Sequence, residues 1–293
     1  MTAPPPLARL LIVGVGLIGG SLARALRRAG FAGEIIGCGR SLTHLERAVE
    51  LGVIDQATTD LAAAAAEADG IVLCVPVLAI EAVLRELAPH LRHDAIITDV
   101  GSTKGSVVAA ARAVFGTLPA NFVPGHPIAG TERNGVEASF AELFDGRRVI
   151  LTPEPETGGA ALERVRELWQ ACGADVVEMS AEHHDQVLAE TSHLPHVLAY
   201  TLVDNLARKA ERREIFRYAA GGFRDFTRIA SSDPAMWRDI CLANRAALGE
   251  ALRDFRADLD RIITAVEQGD ESTLIDRFSR AKTARDRFTR EEP

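Results

Sequence analysis

The stretch Gly14-Val15-Gly16-Leu17-Ile18-Gly19 limits what this chain can fold into more than any other. It follows an apolar run of strand length, residues 10–13, and opens a helical pattern. In that context a GxGxxG sequence reads as the turn between a first strand and a first helix that cradles a dinucleotide. The glycines have separate tasks: Gly14 permits the tight turn, Gly16 lets backbone approach a pyrophosphate, and Gly19 lets helix and strand pack closely. The helix start then offers free N–H groups and a positive dipole end to phosphate. Gly14, Gly16, Leu17, Ile18 and Gly19 are therefore candidate cofactor-binding residues.

Apolar runs of strand length alternate with helical patterns through roughly the first 180 residues: 10–13, 34–38, 70–75, 95–100, 121–125, 148–151 and 175–179. Near-continuous apolar strands separated by helices imply a parallel sheet covered on both faces. After residue 180 no convincing strand follows. Leu248, Leu252, Phe255, Leu259, Ile262 and Val266 recur at spacings of four and three, one apolar stripe on a helix. The expected architecture is α/β: a Rossmann-type doubly wound domain over residues 1–180, then an all-helical domain over 181–293. The stripe is either internal core or the seam of a homodimer.

The formal charge of −8 excludes a nucleic-acid surface, which needs a basic face to displace counterions. Small anionic substrates remain open, since a few arginines can hold them. The four cysteines are widely spaced, form no CxxC pair and lie in apolar stretches, as expected of thiols in a reducing compartment. Residues 1–6 lack the basic region and the small-residue cleavage site of a secretion signal. The uncharged run from Leu10 to Ala23 falls short of the roughly 20 residues that a bilayer requires, and it carries several glycines. A cytoplasmic protein with no membrane association is expected.

The end of the second strand sorts NAD from NADP, because an acidic residue there binds ribose hydroxyls and an arginine accommodates a 2′-phosphate. Here the sequence is Gly37-Cys38-Gly39-Arg40-Ser41. With no carboxylate present, Arg40 and Ser41 favour NADP, and NAD remains the alternative.

Two further segments follow strands at the edge where open α/β sheets bind ligands: Asp99-Val100-Gly101-Ser102-Thr103-Lys104-Gly105 and Gly125-His126-Pro127-Ile128-Ala129-Gly130-Thr131-Glu132. His126 sits outside any apolar helix face and near Ser102, and a neutral imidazole can take a hydroxyl proton while hydride leaves the same carbon. Pro195, inside the helical pattern of His193-Leu194-Pro195-His196, predicts a kink that frees the Thr191 carbonyl. His183, His184, His193 and His196 match no established metal signature, so no metal site is expected.

Together GVGLIGGS, DVGSTKG, GHPIAGTE, SHLPH and FRDFTRIASSDPAMW resemble the prephenate and arogenate dehydrogenases of tyrosine biosynthesis, in order and over nearly the whole chain. The resemblance implies a Rossmann domain joined to a helical dimerisation domain and an oxidative decarboxylation of a cyclohexadienol. By the same resemblance His126 accepts the proton of the ring hydroxyl, and Ser102 orients that histidine. Arg228 pairs with a substrate carboxylate, and Asp225 orients Arg228 or a neighbouring basic group. His193, Thr131, Glu132 and Trp237 border the substrate. The chain ends soon after the helical domain, so no fused regulatory or mutase domain is expected.

Two other readings fit less well. A β-hydroxyacid dehydrogenase resembles this domain arrangement but uses a helix lysine, and the only lysines are Lys104, Lys209 and Lys282, none placed for that task. A non-catalytic dinucleotide sensor would need the glycine turn but not His126, Ser102 and Arg228 together.

Overall fold

Six short strands form the centre: β1 (Arg9–Val13), β2 (Glu34–Cys38), β3 (Gln56–Thr58), β4 (Gly70–Leu73), β5 (Ile96–Asp99) and β6 (Phe122–Val123). In this computed structural model, which describes residues 6–291, they pair in parallel in the order β3-β2-β1-β4-β5-β6. Residues 1–5, most of the stretch read for a secretion signal, lie outside the described residues, as do 292–293. The connecting helices are α1 (Leu17–Arg28), α2 (Leu42–Glu50), α3 (Leu61–Glu67), α4 (Ile80–Leu87) and α5 (Gly105–Phe115).

Side chains alternate across each strand, and the two faces of β1 enter two separate cores. Leu10 and Ile12 pack with Leu22 and Leu26 of α1, whereas Leu11 and Val13 pack with Leu61, Leu84 and Val107 of α3, α4 and α5. All four β1 side chains are buried, each contributing about 1.5–3 kcal/mol. The Rossmann-type doubly wound sheet follows from this two-sided burial. The order of strands reverses between β1 and β4, which places the Gly14–Gly19 turn at the switch point where such sheets bind ligands.

A second sheet was not anticipated. β7 (Gly125–Pro127), β8 (Arg148–Leu151) and β9 (Asp175–Glu178) pair in that order, β7 antiparallel to β8 and β8 parallel to β9, with α6 (Gly159–Ala171) between the last two. The apolar runs at 148–151 and 175–179 thus leave the parallel sheet. The run at 121–125 splits, because Pro124 has no N–H for a ladder and separates β6 from β7. As a result His126 lies on a strand opposite Ile150, not in a loop.

Beyond β9 the described residues are helical: α7 (Ala181–Leu188), α8 (Leu194–Ala207), α9 (Arg212–Arg217), α10 (Gly221–Thr227), α11 (Pro234–Ala243), α12 (Arg245–Gln268) and α13 (Glu271–Glu291). Ser180 caps α7 by accepting from His183 N–H. The expected kink at Pro195 is replaced by a π-helical turn over Ala189–His193, after which Pro195 sits in the first turn of α8. A missing N–H costs nothing there, which is why the chain tolerates proline without bending further.

By contacts the chain divides into residues 1–245 and 246–293. Within the second unit α12 and α13 are joined by Arg277 donating to Asp258, and Asp270 caps α13 by accepting from Thr273 N–H at 3.0 Å. The α12 stripe is divided: Leu248 is buried, Leu252 and Ile262 are half-buried, and Phe255, Leu259 and Val266 are exposed. No helix among the described residues is long and apolar enough to cross a membrane.

Candidate active site

Gly14 takes φ +97°, and a side chain there would strike the carbonyl of Cys74. Gly19 packs against Gly14 and Ile12 with no room for a side chain, while Gly16 faces open space. The turn is therefore tight where helix meets strand and open where a ligand would approach. Gly16 begins α1 without any side-chain cap, which leaves the first N–H groups of the helix free for an anion. A dinucleotide pyrophosphate fits this cradle in shape and in charge.

Arg40 and Ser41 follow β2, whose Cys38 carbonyl accepts from Gly14 N–H, so the register brings their loop beside the turn. Arg40 is exposed. Ser41 is partly committed, since its hydroxyl accepts from His44 N–H at 3.4 Å to cap α2.

Gly16, Leu17, Ile18 and Gly19 line a cavity of about 410 Å³, and Ser102, His126, Thr131, Glu132, His193 and Trp237 line the same cavity. Its size suits one bound small molecule beside part of a cofactor. Gly14 lies beneath the turn, and Arg40 and Ser41 are not part of the lining. Arg228 borders an adjoining cavity that shares His126, Thr131, Glu132 and Trp237. Asp225 is exposed and borders neither.

Beneath the cavity lies a buried polar network. His126 Nδ1 and His184 Nε2 are 2.9 Å apart, and His184 Nδ1 is 2.8 Å from Asp185 Oδ1. The Asp185 carboxylate also accepts from Lys104 N–H at 2.7 Å and Gly105 N–H at 2.9 Å, which ties α7 to the start of α5. Lys104 is fully buried, with Nζ donating to Asp99 and to the Gly125 carbonyl. Asp99 accepts from Gly101 N–H at 2.7 Å and Gly125 N–H at 3.1 Å. Burial above all, with the Lys104 ammonium nearby, pushes His126 well below the usual imidazole range. His184 is lowered for the same first reason, burial.

His193 accepts from Asn244 at Nδ1, 3.1 Å, so its proton sits on Nε2, a buried nitrogen with no partner in the protein. Burial lowers its pKa to about 4, which keeps the ring neutral. The indole N–H of Trp237 is likewise buried and unpartnered, and its ring stacks on His196 at 3.6 Å. His193 and Trp237 both line the cavity.

Two roles expected from sequence differ here. The hydrogen-bond partner of His126 is His184 rather than Ser102. Arg228 pairs with Glu132 rather than with Asp225. Its own backbone N–H, and then Arg228, hold the Glu132 carboxyl below the usual range. Sequence reasoning missed His184, Asp185, Lys104 and Asn244. The available signal was the position of His184 on the buried face of α7, in line with Ala181 and Leu188.

The family model for the prephenate dehydrogenase nucleotide-binding domain matches residues 22–178, and that for the prephenate dehydrogenase dimerization domain matches 180–280. The chain belongs to the prephenate dehydrogenase family. A cyclohexadienyl dehydrogenase of Zymomonas mobilis is 43% identical over 279 residues, 94% of each chain. A prephenate dehydrogenase of Bacillus subtilis is 41% identical, over 94% of this chain and 75% of its own. The crystal structure of prephenate dehydrogenase from Aquifex aeolicus in complex with hydroxyphenyl propionate and NAD+ has 40% identity. It aligns with a TM-score of 0.90, over 96% of this chain and 98% of that one. Membership of this family makes the chain an oxidoreductase with an NAD(P)-binding Rossmann domain, and sets aside the β-hydroxyacid dehydrogenase and sensor readings.

Proposed function

We propose that this member of the prephenate dehydrogenase family oxidatively decarboxylates prephenate to 4-hydroxyphenylpyruvate, arogenate to tyrosine, or both, with NADP as acceptor. The observation that carries the reading is the single cavity shared by the Gly16–Gly19 turn and His126. When bound, the nicotinamide accepts hydride from the ring carbon that bears the hydroxyl.

The chain's residues supply the rest. His126, neutral because it is buried, takes the hydroxyl proton as hydride leaves and returns it to the phenolate oxygen after carbon dioxide departs. Net proton release is therefore nil. Ser102 lies beside the reacting hydroxyl, and the unpartnered Nε2–H of His193 and indole N–H of Trp237 donate to substrate oxygens. Arg228 turns its planar fork from Glu132 to a substrate carboxylate, with Thr131 and Glu132 bordering the same space. Asp225 lies one helical turn from Arg228 in sequence and acts on it through substrate-induced movement. Arg40, exposed beside the turn, meets the 2′-phosphate, with Ser41 adjoining. In this reading residues 1–180 hold the cofactor and bring His126, Ser102, Thr131 and Glu132 to the substrate, while residues 181–293 add His193, Arg228 and Trp237 and carry self-association. The exposed stripe of α12 and the match to a dimerization domain support a homodimer, and the free thiols suit the cytoplasm.

The test is turnover of each substrate with each cofactor. At least one substrate is consumed with release of carbon dioxide, and NADP gives the higher kcat/KM. Failure of both substrates overturns the activity, and a preference for NAD overturns the role of Arg40. His126→Asn lowers kcat by roughly 10²–10⁴-fold in a folded protein, whereas near-normal turnover removes His126 as the base.

A further inference from the structure

We propose that His184 and Asp185 are positioning residues that set the tautomer of His126, keeping its proton on Nδ1 and leaving Nε2 bare for the substrate hydroxyl. This rests on His126 being the base assigned above.

The direction of each hydrogen bond follows from what the groups can do. An ionised carboxylate only accepts. Asp185 already accepts from two backbone N–H groups, of Lys104 and Gly105, at the start of α5. Those bonds and His184 hold its carboxyl below the usual range despite the opposing effect of burial. At the 2.8 Å contact, His184 Nδ1 must therefore be the donor. A neutral imidazole has one N–H, so His184 Nε2 is bare and can only accept. The group facing it at 2.9 Å is His126 Nδ1, which must donate. The proton of His126 is thus fixed on the side away from substrate.

The chain of bonds runs one way only while His184 is neutral. If His184 were protonated, both of its nitrogens would donate, His126 Nδ1 would have to accept, and the proton would move to Nε2. The surroundings oppose that charge. His184 is buried, and the Lys104 ammonium lies close enough to disfavour a second cation. Asp185 and Asp99 act in the opposite direction, and burial, the largest effect, outweighs them. His126 itself faces His184, Lys104 and His193.

When His126 Nε2 takes the hydroxyl proton, the imidazolium still donates through Nδ1, and the Asp185 charge lies one ring further on. The same logic governs a Ser-His-Asp triad, where losing the tautomer-setting carboxylate lowers kcat about 10⁴-fold. Here a second imidazole stands between base and carboxylate.

The experiment needs no variant for its first part. In protein labelled with nitrogen-15 histidine, the His126 resonances are identified by their loss in His126→Asn. Near pH 7.5 the wild type shows Nδ1 protonated and Nε2 bare; a proton on Nε2 overturns the proposal. His184→Asn keeps a donor toward Asp185 but removes the acceptor for His126. It gives mixed tautomers and a kcat roughly 10²-fold lower, with the cofactor KM within about twofold of the wild type. His184→Gln restores an acceptor oxygen near the former Nε2 and recovers part of that loss. Wild-type kcat in His184→Asn also overturns the proposal. Normal turnover of His126→Asn would instead refute the base assignment and leave the tautomer spectrum to judge the hydrogen-bond chain separately.

Discussion

Arg228 projects from the end of α10 with its side chain 64% exposed, held by Glu132. A guanidinium so placed has freedom to exchange one carboxylate for another at small cost, because an exposed ion pair is weak. Substrate brings a fixed carboxylate and the planar fork can take it bidentately. Arg228→Ala is expected to raise the substrate KM tenfold or more, with kcat changed far less; steady-state kinetics with an unchanged KM would remove the assignment. The contrast with Asp225 shows what sequence can and cannot convey at this scale. Asp225 is near Arg228 in sequence and was expected to orient it, whereas the actual partner is 96 positions away along the chain. His126 and Ser102 stood out in the sequence because each lies in a segment that follows a strand at the ligand-binding edge, whereas His193 and Trp237 were suggested by the family resemblance. His184 was not. A histidine on the buried face of a helix looks the same whether it fills space or accepts a hydrogen bond from a strand 58 residues earlier.

At the level of elements, the Lys104–Asp99 pair joins the end of β5, the start of β7 and the start of α5. Both side chains are entirely buried, so neither can be removed alone without leaving an uncompensated charge. Lys104→Met is expected to destabilise the protein by about 3–5 kcal/mol. The double variant Asp99→Asn with Lys104→Met should recover a large part of that loss. Denaturant unfolding of the wild type, the two single variants and the double variant measures the difference, and additive losses would show that the pair is not coupled. The parallel strands were legible because burial on both faces makes them continuously apolar. β3, three residues with an exposed Gln56, carries no such signal. Lys104 read as a loop charge because its counter-charge, although only five positions away, depends on the chain reversing between β5 and α5.

For the whole molecule, the apolar residues left outside are concentrated after residue 250: Phe255, Leu259, Ile263, Val266, Ile275, Phe278 and Phe288 are all exposed. Monomeric proteins rarely leave so many large apolar side chains in water on two helices. Leu259→Glu is expected to convert a homodimer to monomer, measured by light scattering, and an unchanged mass would place the association surface elsewhere. The periodicity of this stripe was legible, but its partner was not, since core and interface share one spacing.

The contact between His126 and His184 also bears on how such enzymes can be recombined. The two family models meet between residues 178 and 180, which looks like a natural point for exchanging halves between relatives. The base and the acceptor that would set its proton fall on opposite sides of that junction. A chimera joined there keeps its tautomer control only if the incoming half brings a histidine and an aspartate in the places of His184 and Asp185. On the proposed roles of His126 and His184, the junction between the two modules divides one hydrogen-bonded unit, and a working chimera needs both halves as a matched set.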